Sequence, residues 1–251
     1  MSSFTPKTVI QIPRLNEQAV HVWNVNLEYD AGTDGEGALK ASELAKINRL
    51  RNPKHRAYAA SMRIQLRQLL ALYLDVEAAD IVFDKAEFGK PYITNSNLSF
   101  NVSHSDNQAL VAVSFHKELG VDIECWRTLD NLEALVQRNF SDDEKKCWLE
   151  LPDVQREAVF FRLWTCKEAF IKATGRGLGM GVSRCGFELE PPHEIKLCPA
   201  EYGEASAWRC RPLEVGDRVS GSIIVKTKSF ELSTYSFDPE KPPQITLEIQ
   251  A

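Results

Sequence analysis

The chain has 251 residues, 43% hydrophobic and 26% charged, the balance of a globular protein with one large core or two small ones. Its formal net charge of −5 leaves no global basic field of the kind that recruits nucleic acid or an acidic membrane surface. Six scattered cysteines without a C-x-x-C pair give no spacing for a zinc site and predict reduced thiols rather than a disulfide framework.

Residues 1–13 hold one lysine and no long apolar run, so they do not read as a secretory signal. No stretch reaches the roughly eighteen apolar residues of a membrane span. His21–Tyr29 alternates apolar and polar residues and predicts a strand, followed by a turn-rich break at Asp30–Gly37. From Ala41 to Leu74 the pattern is helical, interrupted near Pro53. Ile81–Phe83, Leu98–His104 and Ala109–Phe115 predict short strands, with turns at Gly89-Lys90-Pro91 and Ser105–Asn107. Gly120–Cys125 predicts another. Helices follow over Leu132–Phe140, from a capping box at Ser141–Glu144, and over Val154–Ala173, the last ending at Gly175. Beyond Val182 the chain predicts several strands, with turns at Pro191-Pro192 and Pro242-Pro243. The expected fold is α+β, in two subdomains meeting near Leu119.

Asp122 and Glu124 lie two apart on a predicted strand, so both project from one face while Val121 and Ile123 face the core. Two carboxylates about 4 Å apart repel by roughly 4 kcal/mol at an effective dielectric near 20. A shared hard cation removes that repulsion, but a solvated strand face carries the same pattern. Glu168 and Lys172 lie four apart on a helix, the spacing of an ordinary surface ion pair. Their setting is Phe160, Phe161, Leu163, Trp164, Phe170 and Ile171, which makes the helix apolar nearly all round and predicts burial. Buried charges need partners or a ligand.

Lys90 sits in a tight turn, and Ser103 and His104 end a strand. Adjacent strand residues face opposite ways, so Ser103-His104 is not a catalytic pair. Lys54, His55, Arg56, Arg63 and Arg67 form a basic cluster that suits either phosphate or solvent. Gly175–Gly181 lacks the strand before and the helix after that a dinucleotide fingerprint requires.

In order along the chain, FGKPY (88–92), FNVSHS (100–105), GVDIE (120–124) and WTCKEAFIKATGRGLG (164–179) resemble the 4′-phosphopantetheinyl transferases, most closely the surfactin-synthetase-activating class. The resemblance covers about residues 54–181. It implies two similar α+β subdomains, residues 1–118 and 119–251, arranged as a pseudo-dimer with coenzyme A in the cleft between them. It also implies transfer of the 4′-phosphopantetheinyl group from coenzyme A to a serine of an apo acyl or peptidyl carrier protein, releasing 3′,5′-ADP. Asp122, Glu124 and Glu168 would hold magnesium with the pyrophosphate. Lys172 would contact the pyrophosphate. Lys54, Arg56, Arg63, Lys90, Ser103 and His104 would hold the nucleotide end. Asp122, Glu168 and Lys172 would be catalytic, with Glu168 the candidate base, and Cys166 would take no part. A cytoplasmic monomer without nucleic-acid or membrane partners is expected. A carrier would dock on Leu132–Leu151, through Arg138, Phe140, Lys145, Lys146 and Trp148. Two other functions are open to the residues: a non-catalytic coenzyme A-binding module, and a metal-dependent phosphohydrolase using water.

Overall fold

A computed structural model describes residues 7–9, 12–29, 37–191, 193–238 and 245–248. Of the expected turns, Asp30–Gly37 lies outside the described residues except for Gly37, Pro191-Pro192 except for Pro191, and Pro242-Pro243 entirely. The first helices are α1 (Ala41–Ile47) and α2 (Pro53–Leu74). Proline at the first helical position costs no hydrogen bond, so Pro53 starts α2 rather than merely interrupting a helix. The Asn52 side chain caps it, accepting from the Lys54 backbone N–H at 2.9 Å.

Strands β1 (Lys7–Val9), β2 (Ala19–Asn26), β3 (Phe83–Lys85), β4 (Pro91–Ile93), β5 (Ser99–Ser105) and β6 (Gln108–Ser114) precede β7 (Leu119–Cys125). Helices α3 (Leu132–Asn139), α4 (Asp142–Leu149) and α5 (Asp153–Thr174) come next. Strands β8 (Gly186–Phe187), β9 (Ile195–Leu197), β10 (Trp208–Leu213), β11 (Val219–Lys226), β12 (Glu231–Phe237) and β13 (Ile245–Glu248) complete the described fold. The mixture of helix and sheet is as the pattern predicts. The hairpin strand β4 was not foreseen, because three residues carry too little periodicity.

A six-stranded sheet has the order β1-β13-β12-β2-β6-β5, and a three-stranded sheet the order β10-β11-β7. Three hydrophobic clusters stack the elements. Met62, Leu66, Leu69 and Leu70 of α2 pack on Trp23, Phe100, Val111 and Val113 of the large sheet. Val20, Val22, Leu110 and Ala112 on its other face meet Leu119, Val121, Ile123 and Ile223 of the small sheet. The far side of the small sheet meets Cys166, Ala169 and Phe170 of α5. The order is therefore α2, large sheet, small sheet, α5. Strand β6, buried on both faces, reads as a continuous apolar run.

Within the span 119–251 of the expected division, β12 pairs in parallel with β2, with Tyr235 opposite Trp23, so the chain returns to the first sheet after the second is built. The Trp23 and Tyr235 rings stack with centroids 4.6 Å apart. No helix among the described residues is long and apolar enough to cross a membrane.

Candidate active site

The two sheets meet along the edge strands β5 and β7, and side chains close the seam. Asn101 Oδ1 accepts from the Val121 N–H at 2.9 Å, and Ser105 Oγ from the Cys125 N–H at 2.9 Å. Between them Ser103 Oγ donates to Asp122 Oδ1 at 2.7 Å, and Ser105 Oγ donates to Glu124 Oε2 at 3.2 Å. Period two on both strands sets this register: 101, 103 and 105 on one, against 122 and 124 on the other. Seam serines thus hold both carboxylates, and each edge covers the other.

Helix α5 lies over that face. Gly120 shares it with Asp122 and Glu124, and the α5 backbone presses directly on Gly120. The last turns of α5 then carry Glu168 and Lys172 above the carboxylates. Lys172 Nζ lies 2.7 Å from Asp122 Oδ1 and 2.6 Å from Ser103 Oγ. The ion pair Lys172 makes is therefore with Asp122, fifty residues away, and not the helical pair its spacing from Glu168 suggests.

Electrostatics tie the group together. Burial raises the Asp122 carboxyl above its ordinary value, Lys172 and Ser103 pull it back, and Glu124 adds to the rise. Glu168 is pushed up to about 7, first by burial and then by Asp122 and Glu124, against Lys172. Asp122 Oδ2 is buried without a hydrogen-bond partner. Among the described residues no three acidic, imidazole or thiol side chains already converge as a cation cluster. A cavity of about 320 Å³ opens beside the site, lined by Phe88, Lys90, Glu168, Lys172 and Gly175 among others.

Ser103 and His104 separate as alternation requires. Ser103 faces Asp122, while His104 faces α2 and a second cavity of about 660 Å³, lined also by Lys54, His55, Tyr58 and Arg63. Burial, and then the Lys172 charge, hold the His104 imidazole below its ordinary pKa, with Glu124 opposing. Lys54 is exposed, with Asp106 at 3.4 Å. The remaining basic candidates take other places. Arg56 is not among the residues lining this cavity, and its Nη1 donates to the Leu50 carbonyl at 3.2 Å. Arg67 is buried, bonded to Glu43 and to the Ala78 and Ile81 carbonyls. Lys90 Nζ donates to three backbone carbonyls and not into the α2 cavity.

Sequence reasoning missed Asn101 and Ser105, although polar residues alternating at 101, 103 and 105 were the available signal. It also missed Lys167, which leaves the carboxylate face and pairs with buried Glu144 at 2.7 Å. Ser141 and Glu144 do form the expected capping box. Cys166 is buried, 3.5 Å from Cys210 Sγ and away from the carboxylates. Two residues of the carrier surface expected on Leu132–Leu151 are corrected, since Phe140 and Trp148 are core residues; Lys145 and Lys146 stay at the surface, beside Asp142 and Asp143.

Residues 118–224 match the family model described as the 4′-phosphopantetheinyl transferase superfamily. Residues 36–116 match the one described as 4′-phosphopantetheinyl transferase, N-terminal. The chain is 36% identical over 212 residues to the 4′-phosphopantetheinyl transferase HetI of Nostoc sp., spanning 82% of this chain and 87% of that protein. It is 36% identical to the 4′-phosphopantetheinyl transferase psf-1 of Bacillus pumilus, over 58% of this chain and 66% of the relative. It is 32% identical to the 4′-phosphopantetheinyl transferase of Bacillus subtilis, over 64% and 70%.

Proposed function

Because the chain belongs to the 4′-phosphopantetheinyl transferase superfamily, we propose that it moves the phosphopantetheinyl group of coenzyme A onto a serine of an apo acyl or peptidyl carrier protein, releasing 3′,5′-ADP. The relatives bear out the resemblance read from the four motifs, and a surfactin-synthetase-activating type is the form of it they support.

The observation that carries the reading is the meeting of Asp122, Ser103, Glu168 and Lys172 at the β5–β7 seam. An attacking serine hydroxyl comes from the carrier, so the enzyme needs no nucleophile of its own. It needs fixed charge where charge develops, and a group to take the serine proton. Lys172, held by Asp122 and Ser103, supplies a positioned ammonium for the phosphoryl oxygens. Glu168, one helical turn before Lys172 on α5, is the group placed to take the serine proton.

The carboxylates fit magnesium: they are hard oxygen donors, they destabilise one another, and Asp122 Oδ2 lacks a partner. Bound there by Asp122, Glu168 and Glu124, the ion would neutralise charge on the pyrophosphate. The α2 cavity, with Lys54, Arg63 and His104, suits the phosphorylated nucleotide end of coenzyme A. Helices α2 and α5 have 22 residues each and each covers one sheet, which supports two similar α+β halves with coenzyme A between them. A cytoplasmic monomer belongs to the same reading. Carrier docking on α3 and α4 would rest on exposed Arg138 and Leu149.

The test mixes the protein with magnesium, coenzyme A and a panel of apo carrier proteins, and follows carrier mass. A gain of one phosphopantetheinyl group is expected. Release of phosphopantetheine without any carrier would mark a phosphohydrolase, and binding without turnover a coenzyme A-binding module.

A further inference from the structure

The Phe88–Tyr92 turn and the α5 motif lie about eighty residues apart, and the structure locks them together through Lys90. Its Nζ donates to the carbonyl oxygens of Leu119 at 2.9 Å, Ala173 at 3.0 Å and Lys117 at 3.3 Å. An ammonium has three N–H bonds and no acceptor, so three carbonyls use all of its donors. None is left for a phosphate. One acceptor, Ala173 O, is among the last carbonyls of α5, which have no partner within the helix and carry the negative end of its dipole.

Two further contacts close the same junction. A Cβ at Gly175, the left-handed residue ending α5, would lie 3.4 Å from Lys90 Cδ, so the helix end rests on the lysine stem. The Arg176 guanidinium stacks on the Phe88 ring at 4.2 Å. Leu119 is the first residue of β7 and lies three positions before Asp122, while Ala173 directly follows Lys172. At 1.5 Å per residue, the pinned carbonyl lies about 7.5 Å along the axis from Glu168.

We propose that Lys90 is a positioning residue of the transfer reaction: its ammonium pins the last turn of α5 to the start of β7 and so sets Glu168 and Lys172 over Asp122. This rests on the transferase reading above, but it departs from the nucleotide-binding role that the resemblance implies for this lysine.

The experiment compares wild type with Lys90→Met, which keeps the stem and removes the ammonium, and with Lys90→Arg, which keeps donors. Misplacing reacting groups by an ångström costs about 100-fold, so kcat should fall on that scale in Lys90→Met. KM for coenzyme A and affinity for 3′,5′-ADP should stay within about twofold, because no ground-state contact is lost. Lys90→Arg should recover part of kcat. Backbone amide exchange, measured without substrate, should quicken at residues 173–176 in Lys90→Met and stay unchanged in β6. A rise in coenzyme A KM with kcat kept would overturn the proposal in favour of a nucleotide-binding lysine. Unchanged kcat or unchanged exchange at the end of α5 would overturn it as well. If Lys90→Met does not fold, Lys90→Gln carries the same comparison with a shorter neutral side chain. A wild-type protein that transfers nothing would sink the functional reading itself, whereas an active wild type with an indifferent Lys90→Met sinks only the clamp.

Discussion

A side chain on Gly120 would place its Cβ 2.0 Å from the carbonyl oxygen of Ala169 and 2.5 Å from the Ala173 nitrogen. Glycine here is a matter of room rather than of backbone angle. Helix α5 can approach β7 closely enough to set Lys172 on Asp122 only where no Cβ stands between them. Gly120→Ala should therefore push the helix off the strand. We expect a loss of about 1–3 kcal/mol of stability from overpacking against backbone that cannot yield. Transfer should fall further than stability explains, by about 100-fold in kcat. Denaturant unfolding and transfer kinetics on the same preparation check both, and a variant with wild-type kcat would sink the account.

Glu168→Gln keeps the shape of the side chain and removes its basicity. General-base loss predicts a kcat lower by about 100-fold to 10,000-fold. If a different divalent metal restores the full rate to this variant, the residue acts as a ligand and not as a base.

The α2 cavity assigns the nucleotide end to His104, Arg63 and Lys54 and leaves Arg56 outside. His104→Ala and Arg63→Ala should raise KM for coenzyme A, each by about 10-fold to 150-fold for a charge-assisted hydrogen bond, with kcat little changed. Arg56→Ala should leave both constants alone. Arg63 also bonds to Glu43, so its variant needs a stability control. Steady-state kinetics in coenzyme A at saturating carrier separate these outcomes.

Lys167 and Glu144 are both buried, 2.7 Å apart. Removing one partner strands a charge in the core. Lys167→Met should cost about 3–5 kcal/mol, and adding Glu144→Gln should restore much of it. Urea unfolding of the two variants decides this, and an equal loss in both would show that the pair's charge is not what matters.

His21 carries a pH dependence that has nothing to do with catalysis. Trp23 Nε1 donates to the Tyr73 hydroxyl at 2.8 Å, which leaves the hydroxyl proton for His21 Nδ1 at 2.7 Å. That bond needs a neutral ring, and burial lowers the His21 pKa from 6.5 to about 4. Below 6.5 the unfolded chain binds a proton that the fold refuses. Stability is thus complete above pH 6.5 and is lost as pH falls toward 4. The loss from this one group reaches about 3 kcal/mol at most. In His21→Gln the fall of stability over the same range should be shallower, as read by thermal melts at stepped pH.

Much of the site was legible because its parts are local. Period two placed Asp122 and Glu124 on one face, and an apolar girdle marked α5 as buried. Even the split of Ser103 from His104 followed from alternation. The partners were not legible. The i, i+4 rule names Glu168 as the neighbour of Lys172, yet a charge half-buried at an interface takes the stronger acceptor it faces, which is Asp122. Phe140 and Trp148 looked like a docking surface because short helices give no sign of which side the core lies on.

What the sequence determined by itself was the family, the strand and helix types, and which residues could do the chemistry, since each rests on residue identity and a repeat of two or 3.6. What only the tertiary structure decided was where the long side chains end. Three lysines of the motifs take three different anchors: Lys172 on Asp122, Lys167 on Glu144, and Lys90 on backbone carbonyls. The return of β12 to β2 belongs with them. Periodicity states which way a residue faces. What it meets there depends on the path of the chain over fifty residues or more, and no local pattern encodes that path.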